Sequence, residues 1–250
     1  MAGHNKWSKI KRKKGVEDAR RSKEFTKIIK EITVSVKEGG SPDPEFNPRL
    51  RTAIQNAKGI NMPKDNIERA IKKAEESGGA GYEELIYEGY APHGIAVLVE
   101  ATTDNTNRTV ASVRSAFSKS GGNLATSGSV AFLFDRKGLF TFALGEHDPD
   151  ELMLELIDAG AEDVDIDEGE VQVTTAFEDF GTMQQALDNK AIEVTKAVTA
   201  FVPKPTTALP ANEGQKVLHL IDRLEDDDDV KAVYHNLALT DELLEALSAE

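Results

Sequence analysis

The apolar residues near the start of the chain recur with the period of an α-helix. Within residues 19–38 they fall at i, i+3, i+4, i+7 and i+11, and Gly39 and Gly40 follow directly. This spacing predicts a helix with one buried face that ends at the two glycines. The residues on the predicted buried face are Phe25, Ile28, Ile29, Ile32 and Val36.

Two further helices are predicted from their start signals. Asn47 is a good N-cap, and Pro48 suits the first helical position, where no backbone N–H is needed. A third helix is predicted after Asn61–Met62–Pro63 and ends before Gly78–Gly79. Three short amphipathic helices in succession predict a small helical bundle.

After residue 79 the pattern alternates between strands and helices. The order from 139 to 201 is βαββαβ, the ferredoxin-like arrangement, and a strand near 202–208 would complete a second such unit from the flanking elements. The predicted strands are 95–103, 130–134, 139–144, 164–166, 171–175, 193–201 and 230–237. The predicted helices are 107–119, 150–159, 183–189, 213–224 and 241–247.

The expected fold class is therefore α+β, with an N-terminal three-helix bundle followed by two ferredoxin-like α/β domains, one inserted in the other. A Gly-rich stretch at 78–81 is the expected hinge after the bundle. The expected domains are 1–78 for a basic arm and the bundle, 79–136 plus 203–250 for a central α+β domain, and 137–202 for the inserted domain.

Charge is distributed very unevenly along the 250 residues. Residues 1–75 carry 19 Lys/Arg and 10 Asp/Glu, whereas the remaining residues carry 11 and 34, which leaves a net charge of −14. An asymmetry of this size indicates a basic nucleic-acid-binding segment on an acidic body that repels phosphates.

The basic segment comprises an arm, the polar face of the first helix and the bundle. Its positive charge favours contacts with a phosphate backbone, which give affinity without sequence information. The alternative is a solvated helix face with a disordered tail, and Trp7 could either stack on an unpaired base or anchor the arm. The candidate nucleic-acid-binding residues are Lys6, Trp7, Lys9, Lys11, Arg12, Lys13, Lys14, Arg20, Arg21, Lys23, Lys27, Lys30, Arg49, Arg51, Lys58, Lys64, Arg69, Lys72 and Lys73.

A polar segment between a predicted strand and a predicted helix is a second candidate site. Asn105, Asn107 and Arg108 lie where a helix N-terminus and a nearby guanidinium could hold an anion. Asp, Asn and Thr are also the residues that cap helices, and this simpler role is favoured.

The residue types of most catalytic and metal sites are missing. The chain has no cysteine, which excludes disulfides, thiolate zinc sites and cysteine nucleophiles. The five histidines share no metal-ligand spacing, and phosphate-loop and dinucleotide motifs are absent. Asp163, Asp165 and Asp167 resemble the start of a calcium loop, but Glu168 stands in place of its glycine. We therefore expect a protein that is not an enzyme and has no cofactor or metal.

Two other stretches are predicted to be connections. Ser118–Ser129 is rich in Gly and Ser and is expected to be a long connection, and the acidic run Glu225–Asp229 is expected to be a solvated turn. No apolar run approaches the ~18 residues that span a bilayer, and Met1–Lys14 has no apolar signal core. A cytoplasmic location without membrane contact is therefore expected.

Several segments together resemble the YebC/PmpR family. They include Met1-Ala2-Gly3-His4, Asn47-Pro48-Arg49-Leu50-Arg51, Asn61-Met62-Pro63-Lys64-Asp65-Asn66-Ile67 and Tyr87-Glu88-Gly89-Tyr90. The resemblance implies a helical N-terminal domain, two α/β domains and a role as a bacterial cytosolic regulator. Some members of the family are described as DNA-binding transcriptional regulators. Others, including the mitochondrial translational activator of cytochrome oxidase subunit I, act on translation at the ribosome.

Three functional hypotheses follow. The first is a DNA-binding regulator of transcription, which the family's usual description favours. The second is a translation factor on ribosomal RNA, where shape and backbone contacts suffice; it suits a chain with no clear base-reading helix. The third is a protein-interaction scaffold in which the basic arm is incidental. The acidic domains could contact ribosomal proteins or RNA polymerase, or only keep the protein off nonspecific nucleic acid.

Overall fold

A computed structural model of the chain describes residues 17–76 and 81–248, with the side chains of 21–76 and 81–247. The described residues form two compact units. Unit 1 takes its residues from 1–30, 80–135 and 203–250, and unit 2 takes its residues from 31–79 and 136–202.

The helices and strands place the protein in the α+β class, as the sequence predicts. Among the described residues, no helix is both long enough and apolar enough to cross a membrane. The helices are α1 (Glu17–Gly39), α2 (Pro48–Gly59), α3 (Lys64–Glu76), α4 (Thr106–Lys119), α5 (Pro149–Asp158), α6 (Phe180–Asn189), α7 (Ala211–Glu225) and α8 (Asp241–Ser248). The strands are β1 (Glu83–Tyr90), β2 (Ala96–Thr103), β3 (Asn123–Leu124), β4 (Phe134–Ala143), β5 (Ala161–Asp167), β6 (Glu170–Ala176), β7 (Val194–Pro203) and β8 (Val230–His235).

Unit 1 contains an antiparallel sheet with the strand order β3-β1-β2-β8. The central strand β2 pairs with β1 on one side and β8 on the other, and it is buried along nearly its whole length. Val97 and Val99, which lie on one face of β2, share a core with buried residues of α4, α7 and α8, including Phe117, Leu218 and Leu243.

The connectivity of unit 1 corrects the predicted second βαββαβ unit. The predicted strand at 202–208 does not form, because β7 ends at Pro203 and only Thr207 continues, as a single bridge to Leu237. Strand β1 and the short strand β3 complete the sheet instead of the predicted strands 130–134 and 202–208, and β3 lies within the stretch predicted to be a connection. The sequence conceals β1 because its glutamates, including the buried Glu88, interrupt the apolar alternation.

Unit 2 contains the predicted βαββαβ arrangement, with the strand order β5-β6-β4-β7. The predicted strands 130–134 and 139–144 are corrected to a 3₁₀ turn at Ala131–Leu133, which belongs to unit 1, followed by β4. The predicted hairpin is confirmed: β5 and β6 pair in antiparallel register around Glu168 and Gly169, whose φ angles of 51° and 81° suit a two-residue turn. The core includes Phe140, Phe142, Leu152, Leu156, Met183 and Leu187.

The helices α2 and α3, with the end of α1, carry the remaining buried apolar residues of unit 2. The predicted cap of α2 is confirmed, because the Asn47 side chain accepts a hydrogen bond from Leu50 N at 3.0 Å and donates to the carbonyls of Ser35 and Ser41. The buried residues include Ile32, Leu50, Ala53, Ala57, Ile67 and Ala70.

One side chain of α2 closes the edge of the unit 2 sheet. Strand β7 is last in the sheet order, so one row of its backbone groups has no partner strand. The side-chain amide of Asn56 pairs with the backbone of one residue of this edge strand: its Nδ2 donates to Ala197 O at 2.8 Å, and its Oδ1 accepts from Ala197 N at 2.7 Å. The approach is close enough that a Cβ at Gly59 would lie 1.8 Å from Thr195 O.

We expect Asn56→Ala to lower the free energy of unfolding by about 2 kcal/mol, because the buried N–H and C=O of Ala197 lose their partners. The neighbouring Gln55→Ala is the matched control and should change stability by less than about 0.5 kcal/mol. Denaturant unfolding of both variants checks this. Equal effects of the two substitutions would contradict the role of Asn56.

Candidate nucleic-acid interface

Only part of the predicted basic segment lies within the described residues. Lys6, Trp7, Lys9, Lys11, Arg12, Lys13 and Lys14 lie outside them, as does the side chain of Arg20. The first described cation is Arg21, which is exposed and lies with its guanidinium carbon 5.5 Å from the centre of the Phe25 ring.

The lysine stripe of α1 contacts the acidic run at 225–229, which we call the acidic turn. Lys23, Lys27 and Lys30 are spaced at i, i+4 and i+7, so they share one side of the helix. The Nζ of Lys23 lies 2.7 Å from Asp226 Oδ1, and the Nζ of Lys27 donates to Glu225 O at 3.0 Å. The sequence predicts that these lysines contact phosphates of a nucleic acid, whereas in the structure they contact carboxylate and carbonyl oxygens of the same unit.

Asp229 is the centre of this polar network, and its two carboxylate oxygens have different partners. Oδ1 accepts from Lys30 Nζ at 2.7 Å. Oδ2 accepts from Arg108 Nη2 at 2.7 Å, Thr109 Oγ1 at 2.8 Å and Thr103 Oγ1 at 3.1 Å. The Asp229 carboxylate thereby links α1, the end of β2 and the start of α4.

The environment of Asp229 favours its charged form. Burial alone would raise the pKa of this carboxyl, but hydrogen bonds from Lys30, Arg108 and Thr109 outweigh burial and lower the pKa to about 2. This corrects the expectation that the whole acidic run is a solvated turn, because the Asp229 side chain is only 8% exposed.

The candidate anion site is occupied by groups of the protein itself. The Asn105 side chain accepts from Arg108 N at 3.0 Å and caps α4. The guanidinium of Arg108 donates to Asp229 and Asp104, and these hydrogen bonds raise its pKa. Asn107 is exposed on the first turn of α4. The capping alternative therefore describes the observed contacts of Asn105.

In unit 2, two candidate arginines are held by neighbouring groups. Arg49 forms ion pairs with Glu31, at 3.0 Å, and with Glu38. Arg51 donates to the carbonyls of Pro44 and Glu45 at 3.1 and 3.0 Å. The side chain of Arg51 remains exposed.

The other candidate cations of unit 2 are exposed. Lys58 is exposed at the end of α2. On α3, Lys64 lies 3.4 Å from Glu68 and Lys72 lies 3.8 Å from Glu76, and such exposed i,i+4 pairs contribute only about 0.3–0.5 kcal/mol. Arg69 donates to Asn66 and Asp65, and Lys73 is also exposed. Acidic and basic residues alternate on this face, so its net charge is small.

Backbone N–H groups at the end of the Gly/Ser-rich connection donate hydrogen bonds to a buried carboxylate of the protein itself. Glu88 of β1 is buried, and its carboxylate accepts from the backbone nitrogens of Gly128, Val130 and Ala131 at 2.6, 2.6 and 2.9 Å. Burial opposes ionisation, but these donors outweigh it and lower the pKa of Glu88. No sequence pattern indicates this interaction, because the partners lie about 40 residues apart.

In the parts of the chain that the structure describes, no three His, Asp or Glu side chains are grouped closely enough to hold a metal ion. The candidate site is thus a set of cations on helices. Such groups bind anions and position them, and the network around Asp229 provides two of these cations with a carboxylate partner.

The described residues combine N-terminal helices with two antiparallel four-stranded sheets, and comparison with known proteins assigns the family. Residues 5–77 match the family model described as "TACO1/YebC protein N-terminal domain", and residues 82–237 match "TACO1/YebC second and third domain". The chain therefore belongs to the TACO1/YebC family, which confirms the resemblance seen in the sequence.

Individual relatives are similar over almost their whole length. A "Probable transcriptional regulatory protein" of Amoebophilus asiaticus is 52% identical over 241 residues, which cover 95% of this chain and 98% of the relative. A protein of the same description from Treponema denticola is 51% identical, covering 96% and 97%. A conserved hypothetical protein from Aquifex aeolicus, known from a crystal structure, is 46% identical with a TM-score of 0.82, covering 91% and 94%.

We expect Asp229→Asn to lower the free energy of unfolding by about 3 kcal/mol, because Lys30 loses its carboxylate partner in a buried site. Asp228→Asn is the matched control, since Asp228 is exposed and contacts Lys30 through its backbone carbonyl. This control should change stability by less than about 0.5 kcal/mol. Denaturant unfolding distinguishes the two variants, and a stable Asp229→Asn protein would refute the role of this carboxylate.

The contribution of Asp229 should depend on pH. Its pKa of about 2 in the folded protein lies below the ordinary value of about 3.9. The stabilisation is therefore fully present above about pH 4 and is lost as the pH falls towards 2. The difference in Tm between the intact protein and Asp229→Asn should shrink over this interval, as measured by circular dichroism. A constant difference would contradict the assignment.

Proposed function

We propose that this protein is a non-enzymatic, nucleic-acid-binding regulator of gene expression, and that it binds DNA to regulate transcription. The observation that carries the proposal is the charge distribution, with 19 Lys/Arg against 10 Asp/Glu in residues 1–75 of an acidic chain. The Amoebophilus and Treponema relatives, each described as a probable transcriptional regulatory protein, support a role in transcription. The proposal locates this action in the cytoplasm.

The contacts on α1 divide the proposed site into two parts. Lys30 has a structural role, because its side chain is only 12% exposed and its carboxylate partner is buried. Lys23 is different: it and Asp226 are 40% and 74% exposed, and exposed pairs of this kind contribute at most about 1 kcal/mol. A phosphate can therefore replace Asp226 at little cost. We assign backbone binding to the arm, Arg21 and Lys23, and exclude Lys30 and Arg108.

The cations of α2 and α3 support this binding in a secondary role. Arg51 and Lys58 are exposed, and the weak pairs of Lys64 and Lys72 can exchange their carboxylates for phosphates. Contacts of this kind fix the position of a nucleic acid without reading its sequence.

Ribosomal RNA is the alternative ligand, and one observation favours it. The exposed face of α3 carries Lys64, Asp65, Glu68, Arg69, Lys72 and Lys73, a mixture of both signs that suits backbone contacts better than base readout. Recognition by shape and backbone is typical of structured RNA. Under this alternative the protein is a translation factor, and ribosomal proteins replace RNA polymerase as the candidate partners of its acidic surface.

Deletion of residues 1–14 should flatten the salt dependence of nucleic-acid binding. The deletion removes six cations, and each phosphate that is no longer neutralised lowers the slope of log K against log salt by about 0.9 on duplex DNA. Binding of a labelled DNA duplex between about 50 and about 200 mM salt measures the slope. An unchanged slope would exclude the arm from the interface.

The choice between DNA and RNA needs a separate comparison. A promoter duplex should bind more tightly than a scrambled duplex of equal length and than a ribosomal RNA hairpin, all near physiological salt. Equal affinity for the two duplexes with tighter binding of the hairpin would support the translation factor. Failure to bind any of the three would support the protein-interaction scaffold.

A further inference from the structure

The outer surface of the α4–α7 layer in unit 1 carries exposed positive charge. On α7 the exposed residues recur at intervals of four, three and four, and three of them are basic or imidazole side chains: Lys216, His219 and Arg223. On α4 the exposed cations Arg114 and Lys119 occur in a helix that has no acidic residue at all. The acidic residues of α7, Glu213, Asp222 and Glu225, are half-buried, so the exposed charged side chains of the two helices are basic.

The partners of these cations set them apart from the other cations of unit 1. Lys23, Lys30, Arg108, Lys204 and Lys231 each lie within 4 Å of a carboxylate. Within the described part of the chain, the four cations of the layer form no ion pair; they are Arg114, Lys119, Lys216 and Arg223.

A cleft between α4 and α7 adds hydroxyl groups to this surface. Its volume is about 290 Å³, and Lys119 and Arg223 line it together with the side chains of Ser112 and Ser115. The carboxylate of Asp227 lies at the Ser112 end, where it accepts hydrogen bonds from Ser112 Oγ and from Asp229 N. The hydroxyl proton of Ser112 is thus engaged by Asp227, so Ser115 carries the hydroxyl that the cleft offers to a ligand.

We propose that the α4–α7 layer is a second phosphate-binding surface, and that it contacts the backbone of the same nucleic acid through Arg114, Lys119, Lys216 and Arg223. Arginine, lysine and serine are among the side chains that hold backbone phosphates. Four cations without carboxylate partners bind phosphates without first breaking an ion pair. The inference rests on the proposed function, since its ligand is a nucleic acid, but its residues are separate from the N-terminal segment.

The test compares two full-length variants that lose the same charge. The layer variant carries Arg114→Gln, Lys119→Gln, Lys216→Gln and Arg223→Gln. The control carries Lys137→Gln, Lys190→Gln, Lys204→Gln and Lys231→Gln, whose lysines all pair with carboxylates. Both lose four positive charges, so a difference between them reports position and not net charge.

The ligand in this test is a fluorescein-labelled, mixed-sequence DNA duplex, titrated at several salt concentrations. The layer variant should bind at least about tenfold more weakly than the control, and its salt slope should fall by about one for each phosphate that the layer no longer neutralises. If the intact protein binds DNA, two results would overturn the inference: an equal loss of affinity in both variants, or unchanged affinity of the layer variant. Absence of binding by the intact protein would overturn the proposed function as well.

A second measurement needs no substitution and therefore no assumption about folding. Acetylation of lysines in the intact protein, followed by mass spectrometry, should show that the duplex protects Lys119 and Lys216. Lys231, which is paired with Glu84, serves as the internal control and should be modified equally with and without DNA. Unprotected Lys119 and Lys216 under saturating DNA would overturn the inference.

Discussion

The buried carboxylate of Asp229 is the group on which the polar organisation of unit 1 depends. It receives hydrogen bonds from Lys30 of α1, from Thr103 at the end of β2, and from Arg108 and Thr109 at the start of α4. A single anion pairs with two cations and links three elements. Because a buried charge without a partner is costly, this carboxylate and its cations constrain one another.

The acidic turn also explains which cations are available for a ligand. Carboxylates near α1 and α4 neutralise Lys30 and Arg108, so these two residues stabilise the fold even though their sequence context suggests binding. The cations that keep their positive charge accessible lie at the exposed end of α1, on α2 and α3, and on the outer surface of α4 and α7. An acidic protein can thus bind phosphates locally, while its remaining surface repels them.

The sequence predicts those features that depend on local pattern. The period of the apolar residues locates α1, and Asn47 and Pro48 mark the start of α2, because capping and φ preference are properties of neighbouring residues. Strand β1 is missed because its glutamates interrupt the apolar alternation. The roles of Asp229 and Glu88 depend on partners distant in sequence, so no local pattern reveals them. For the same reason a helical stripe of lysines looks identical whether it contacts phosphates or a carboxylate. The proposed second phosphate-binding surface has one local signal in the sequence, namely that α4 contains no acidic residue.

We propose that this member of the TACO1/YebC family acts by holding a nucleic-acid backbone with its basic N-terminal segment. Ultraviolet crosslinking of the protein in cells, with sequencing of both the DNA and the RNA recovered, tests this claim most directly. We predict that promoter DNA is enriched, and that the enrichment disappears when residues 1–14 are deleted. Recovery of neither DNA nor RNA above the level of an uncrosslinked sample would contradict it.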